Sequence, residues 1–386
     1  PRAKANFLRH IISGQLPLDT LYSPQAKYML ELCLNCKSCA VDCPSQVNIP
    51  RLWDEARARY HAIKGRSGQE KALGSVDSLA RIGAHCAPLW NALTPWLGKL
   101  AAGIHPKRKL PRLRGDTFLS RYAGKKMGRG ETKAALFVDS YINYYAPELG
   151  DAFIRLLLSG DITVYVPEQV GCGMPQLSNG GLKEAREMAR FNLRKLASAV
   201  EEGYRIIPLE PTATLCLRDE YRHILPGREA SAVSENVQDA SQFLLSLYEQ
   251  GRLAASSEPL KLTVGYHTPC HMRALNIEKP ALRLLGLIPG LKVVDLDEGC
   301  CGMAGTFGLK RKWYPTSMTI GEGLFNRLRE PDISIGVSDC SSCRMQMEHG
   351  SYKETVHPIH LLARALIDQN GSFFTSSNQR KKAHSF

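Results

Sequence analysis

The chain has 386 residues, 44% apolar and 23% charged, which is ordinary globular usage with room for more than one domain and excludes disordered and fibrous classes. Its 50 Lys and Arg against 37 Asp and Glu give a net charge of +13, basic but without a nucleic-acid-binding tail, so no nucleic-acid partner is expected. Twelve cysteines are too few for a disulfide scaffold, and nine of them fall into two groups, Cys33–Cys43 and Cys270–Cys343, leaving Cys86, Cys172 and Cys216 apart; such grouping points to metal sites.

The N-terminal residues show no signal peptide. The chain opens at Pro1 without an initiator Met, so its start reads as an excision point or a sequence boundary. Residues 1–104 read as helical. Ala5, Leu8, Ile11 and Ile12 recur at spacings of three and four, and Trp53 to Tyr60 is a strong helix former. Within this part lies Cys33-x2-Cys36-x2-Cys39-x3-Cys43-Pro44. Spacings of two let a short looping backbone present thiolates to one iron–sulfur cage, and the proline turns the chain away. Structural zinc usually takes two separated pairs of ligands instead. Either all four thiolates close on one cluster, or Cys43 serves a second cluster whose other ligands lie outside this chain.

Ile82 to Gly98 is uncharged but holds His85, Pro88, Asn91 and Pro95, too short and too interrupted for a membrane span. A buried helical hairpin is expected, with docking on a membrane surface or a partner as the alternative. Residues 105–133 are crowded with Lys and Arg. They read as a solvated basic linker, or as a surface for an acidic redox partner. From 134 to 368 short apolar strands alternate with helices: Ala134–Val138, Ile162–Val166, Arg205–Pro208, Leu262–Tyr266, Leu291–Leu296 and Ile333–Val337 are strands. Lys183–Ala199, Ala240–Gln250 and Trp313–Arg327 are helices. This alternation implies parallel sheets covered by helices. Residues 369–386 are polar and basic and are expected to be disordered.

An internal repeat organises the second part. Cys270 follows a strand as Asp139 does, Cys300-Cys301-Gly302-Met303 matches Gly171-Cys172-Gly173-Met174, and Cys340 and Cys343 match Glu210 and Ala213. Two related halves are expected, 134–255 and 256–368. The second keeps five cysteines, while the first is expected to have lost its metal and kept the fold. Cys270, Cys300, Cys301, Cys340 and Cys343 each follow a strand, so they should gather at the carboxyl ends of a parallel sheet. Five thiolates exceed the needs of tetrahedral zinc. An iron–sulfur cluster is expected, with zinc or bare thiols as alternatives. His267 and His271 flank Cys270 and read as supporting donors or sheet-edge packing rather than ligands.

Tyr266-His267-Thr268-Pro269-Cys270-His271 and Gly299 to Gly308 resemble the cysteine-rich CCG domain. That domain occurs in heterodisulfide reductase and in the iron–sulfur subunit of anaerobic glycerol-3-phosphate dehydrogenase. It also occurs in the C-terminal part of FAD-linked oxidases acting on D-lactate, glycolate or D-2-hydroxyglutarate. Asn143 to Glu148, Cys172 to Pro175 and Glu210 to Thr212 resemble the same domain, and Arg2 to Arg9 is similar to the segment preceding the cysteine run in the FAD-linked oxidases.

The resemblance implies an α+β or α/β fold: a helical ferredoxin-like 4Fe–4S domain over 1–104, then a degenerate and an intact CCG half. It implies an oxidoreductase part that passes electrons from an FAD on an absent domain or partner, through Cys33–Cys43 and then Cys270–Cys343, to a quinone, cytochrome or soluble acceptor. The chain is then read as a C-terminal fragment lacking its flavin half. A separate iron–sulfur subunit of a glycerol-3-phosphate dehydrogenase or heterodisulfide reductase-like complex is the alternative, and a zinc-stabilised scaffold a third. The location implied is cytoplasmic, with peripheral contact to the inner face of the membrane as an option. No catalytic acid–base or nucleophile constellation is present in the sequence, and Gly302-x2-Gly305-x2-Gly308 lies inside the cysteine motif rather than in a dinucleotide-binding context.

Overall fold

A computed structural model describes residues 2–253 and 259–367. The expected disordered tail and the boundary between the two halves lie outside the described residues. The N-terminal part is helical, with helices Arg2–Ile12, Pro24–Glu31 and Ile49–Lys64. Local sequence sets their ends. Ser23 accepts the Ala26 N–H ahead of Pro24, Asn48 accepts the Arg51 N–H ahead of Pro50, and Gly65 closes the last helix at φ +75°. The inward stripes bury Leu8, Leu21, Leu30, Trp53 and Tyr60 together.

Two expectations fail in the next stretch. The uncharged segment is helical over Val76–Ala84 and Ala87–Leu93, but it is not a buried hairpin: Ile82 is 64% exposed, Leu89 60%, Trp96 83% and Leu97 62%. One face packs Ala80 against Leu113 and Tyr144, and the other has no partner among the described residues. Conversely, the basic stretch after residue 104 is not simply solvated. Arg108, Leu113 and Phe118 are buried. Arg108 Nε donates to the Gly308 carbonyl at 2.8 Å and Nη2 to the Ser317 hydroxyl at 2.9 Å, so this segment is stitched onto the second cysteine motif.

The α/β part holds two four-stranded sheets. The first contains β1 (Lys126–Met127), β2 (Lys133–Phe137), β3 (Thr163–Tyr165) and β4 (Arg205–Pro208), in the order β1-β3-β2-β4. The second contains β5 (Leu262–Tyr266), β6 (Leu291–Asp295), β7 (Ile335–Val337) and β8 (Thr355–Val356), in the order β6-β5-β7-β8. β3-β2-β4 and β6-β5-β7 have the same order and are parallel throughout, as the repeat predicts. Leu136, Phe153 and Ile207 of the first half share one core with Tyr266, Leu285 and Val337 of the second, so the halves pack directly.

The expected helix over Trp313–Arg327 is broken into Tyr314–Ile320 and Glu322–Arg329. A Cβ on the intervening Gly321 would lie 2.4 Å from the Cys301 carbonyl oxygen. The cysteine-pair loop presses against the backbone there.

Candidate metal centre

Cys33 follows the helix Pro24–Glu31, and Cys39 lies in a single turn, Ser38–Val41. Between them Asn35 and Lys37 take left-handed φ values of 54° and 61°, which folds the run back on itself. All four cysteines of the run are partly buried and free. Burial raises the Cys33 thiol, but the cations of Arg57 and Lys4 and the Asn35 N–H outweigh it and pull it down. Cys39 is pushed up by burial and by Cys33 and Cys36 beside it. Lys37 is 6% exposed; its Nζ lies 2.8 Å from Asp54 and 2.6 Å from Glu220. Those two carboxylates overcome burial and hold the ammonium charged. The buried ion cluster ties the cysteine run to the helix Ile49–Lys64 and to the first α/β half.

Each part of the second motif stands at the carboxyl end of a central strand. Cys270 opens the helix Cys270–Ala274 after β5, Cys300 and Cys301 follow β6, and Cys340 caps the helix Ser341–Ser351 after β7 with Cys343 in its first turn. The five thiols are neighbours in a chain: Cys270 interacts with Cys300, Cys300 with Cys301, Cys301 with Cys343 and Cys343 with Cys340. The neighbouring Cys270 and Cys301 thiols draw Cys300 down, and the Gly302 N–H points to its sulfur at 3.4 Å. Gly302 has φ +86°, and a Cβ there would lie 2.1 Å from the Ser317 carbonyl oxygen. Only glycine permits this turn.

The two flanking histidines separate in role. His267, with Cys301 and Cys343, offers ligand atoms that all lie within 4.8 Å of one another. Its Nδ1 is buried without a hydrogen-bond partner, and burial, then Arg273, lower its pKa to about 4, so it is neutral and able to ligate. The sequence signal for this was its place at the end of β5, which also suits a supporting role. His271 is committed elsewhere, with Nδ1 2.9 Å from the Thr212 hydroxyl and Nε2 3.1 Å from the Asn35 carbonyl.

In the first half the matching positions are filled by other chemistry. Asp139 accepts the Ser140 N–H at 2.9 Å, the Cys172 N–H at 3.0 Å and the Cys172 thiol at 3.2 Å. A side chain at Gly171, the Cys300 equivalent, would meet the Ser140 hydroxyl at 2.6 Å and Asp77 at 2.9 Å. Glu210, the Cys340 equivalent, reaches across to accept the Ser341 N–H at 3.0 Å and its hydroxyl at 3.2 Å. Burial and the neighbouring Cys340 push its carboxyl well up. Hydrogen bonds thus occupy this remnant where the second half gathers sulfur.

The donor set fits an iron–sulfur group. Nine thiols stand in two nests, the second lies mostly buried, and the one nitrogen grouped with it among the described residues has an orphaned atom. Above the second nest lies a cavity of 570 Å³, whose floor includes Cys270, Cys300 and Cys340.

The cysteine-rich CCG domain family matches residues 264–348, which contain all five cysteines of the second nest. Fold and site together define an oxidoreductase of the CCG cysteine-rich class. The C subunit of anaerobic glycerol-3-phosphate dehydrogenase from Escherichia coli K12 is 34% identical over 332 residues, covering 84% of this chain and 83% of that protein. The chain belongs to this family. "D-2-hydroxyglutarate dehydrogenase" of Pseudomonas putida is 27% identical over 349 residues, but the match spans only 33% of that longer protein. "Lactate utilization protein A" of Geobacillus kaustophilus is 34% identical over 187 residues, 46% of this chain and 75% of that one. Among the described residues no helix is long and apolar enough to cross a membrane.

Proposed function

We propose that this chain is the iron–sulfur electron-transfer part of a flavin-dependent dehydrogenase. Cys33, Cys36, Cys39 and Cys43 hold a 4Fe–4S cluster in a ferredoxin-like helical domain over 1–104. Cys270, Cys300, Cys301, Cys340 and Cys343 hold a second cluster in the intact CCG half, 256–368. The degenerate half, 134–255, holds none. Bound iron–sulfur clusters supply one-electron transfer. The chain's own residues hold the nests close together and fix thiolate positions by N–H and cation contacts.

The observation that carries this reading is the closeness of the nests. His271, next to Cys270, touches the backbone of Asn35, next to Cys36, and Cys36 acts electrostatically on Cys270. The flavin belongs to another domain or subunit, and the acceptor is a quinone, cytochrome or soluble carrier. The substrate oxidised there is a 2-hydroxyacid, or glycerol 3-phosphate; the match to the glycerol-3-phosphate dehydrogenase relative, long in both chains, favours the second. The unpartnered apolar face at Leu89, Trp96 and Leu97, with Lys99 beside it, docks peripherally on a membrane surface.

Anaerobic reconstitution tests the reading. The chain is expected to bind roughly four to eight irons with broad visible absorption. Stoichiometric zinc without iron overturns it. Cys301→Ser is expected to remove the second cluster's signal and leave the first.

A further inference from the structure

Arg108 is 1% exposed, and a buried guanidinium is costly unless an anion compensates it. Its three nitrogens donate to neutral groups: Nε to the Gly308 carbonyl at 2.8 Å, Nη2 to the Ser317 hydroxyl at 2.9 Å, and Nη1 to the Gln346 side-chain oxygen. The Tyr314 ring covers it at 4.6 Å. No carboxylate pairs with it among the described residues; the acidic groups that act on its charge are the Tyr314 phenol and the Cys301 thiol. Of these, the thiol is the one that metal ligation ionises.

The same contacts clamp the cysteine-pair loop. The Gly308 N–H closes onto the Met303 carbonyl at 2.8 Å, and the Ser317 hydroxyl that Arg108 holds donates to the Gly302 carbonyl at 2.7 Å. A clamp alone needs no charge. In the degenerate half the matching turn is held by Asn192, a fully buried neutral amide. Its Nδ2 donates to the Val170 carbonyl at 3.1 Å and the Gly171 carbonyl at 3.2 Å. The half that gathers sulfur thus uses a cation for a task that its repeat performs with an amide.

We propose that Arg108 is the built-in counter-cation of the second cysteine nest, a positioning residue whose fixed charge favours the reduced state of the iron–sulfur group held there. The inference deepens the electron-transfer reading and rests on it. Reduction adds negative charge, so a nearby cation raises the potential, and net charge is among the quantities that set a cluster's potential. In the interior the charge acts more strongly than one in solvent. Lys107 and Lys109, its exposed neighbours in the chain, are screened and cannot substitute for it. Arg108 belongs to the stretch before β1, outside both α/β halves, so the sequence gives the second nest a charge that its own repeat unit lacks.

The test is a redox titration of the iron-loaded full chain at pH 8, with the two centres followed separately by paramagnetic resonance and iron content recorded on every sample. Arg108→Gln keeps an amide donor for the loop and removes the charge. It is expected to shift the second centre's reduction equilibrium about tenfold toward the oxidised state, about 59 mV for one electron, and to leave the first centre unchanged. Arg108→Lys keeps the charge and loses the fork, and is expected to stay within about threefold of wild type. Gln346→Glu leaves the arginine in place and gives it a carboxylate. It is expected to shift the second centre in the same direction as Arg108→Gln, and it decides the matter if Arg108→Gln fails to hold iron. Equal shifts in Arg108→Lys and Arg108→Gln would reduce Arg108 to a clamp and overturn the proposal. So would a second centre indifferent to both Arg108→Gln and Gln346→Glu, with iron in both nests and the electron-transfer reading intact. Zinc in place of iron overturns that reading and the counter-cation with it.

Discussion

His271 is the joint between the two cysteine nests: its Nε2 donates to the Asn35 carbonyl at 3.1 Å and its Nδ1 accepts from the Thr212 hydroxyl at 2.9 Å. Burial, offset in part by the Asn35 contact, lowers its pKa to about 4, so the ring is neutral and one tautomer satisfies both partners. Three parts of the chain meet at one imidazole: the cysteine run, the degenerate half and the intact half.

His271→Phe keeps a ring of similar size and removes both hydrogen bonds. Two net hydrogen bonds and the desolvated Asn35 carbonyl amount to about 2–3 kcal/mol. The variant is expected to keep its iron, unfold at lower urea and reduce its second centre more slowly than its first. Unchanged electron equilibration between the two signals counts against the joint.

Lys37 should be the most costly single charge to remove. Its side chain is 7% exposed, against 4% for Glu220 and 19% for Asp54. Lys37→Met strands the buried Glu220 carboxylate, while Asp54 keeps Arg57 at 2.7 Å, a loss of about 3 kcal/mol. Lys37→Met with Glu220→Gln is expected to recover a large share of it. A single-variant loss below about 1 kcal/mol by chemical denaturation would show the cluster to be solvated rather than buried.

These devices differ in how far the sequence announced them. The six strands were legible because each is a short apolar run bounded by Gly, Pro or charge, and the second nest was legible because every cysteine group follows such a run. The edge strands β1 and β8 have two residues each, too few for any periodicity to show. The role of Arg108 was hidden by composition. It sits among solvent-facing Lys and Arg, and only the fold brings it against Gly308 and Ser317, 200 or more positions away. The break at Gly321 was likewise invisible, because it comes from a distant carbonyl. The exposure of Trp96 and Leu97 reversed a sequence expectation, since an uncharged apolar run is normally buried. The paired Asp139 and Glu210 gave away the degenerate half, but not that Glu210 would cap the helix of the intact one.

Gly302 and Gly173 are a natural experiment in the repeat, since both have φ +86°. A Cβ on Gly302 would strike the Ser317 carbonyl at 2.1 Å, whereas one on Gly173 would find Ala185 no nearer than 3.5 Å. Gly173→Ala is therefore expected to cost only the left-handed backbone penalty, about 1–2 kcal/mol, with iron content unchanged. Gly302→Ala must also displace the helix Tyr314–Ile320, and it is expected to lose the second centre's spectrum. Equal effects of the two substitutions on iron content would contradict the asymmetry of the halves.

Acid sensitivity should trace in part to two histidines behind the helix Ser341–Ser351. Burial, then Arg344 and Arg155, depress His360 to about 4, and burial, then Arg344 and His360, depress His357 as well. The unfolded chain protonates both near pH 6.5. Between that pH and about 4 the unfolded state binds more protons than the folded state, so this contribution is fully present above pH 6.5 and is lost as pH falls. Buried acids oppose it. Asp239 is raised to about 7 by burial and Asp339, and such a group stabilises the fold as pH falls from about 7 to its unfolded value. The clean measurement is therefore a difference between proteins. Wild type and His360→Gln are unfolded in urea at pH 8 and at pH 5. His360→Gln cannot take up the proton, so at pH 5 it should recover about 2 kcal/mol relative to its own deficit at pH 8. Parallel losses in the two proteins across that range would mean that His360 titrates normally and is not buried as described.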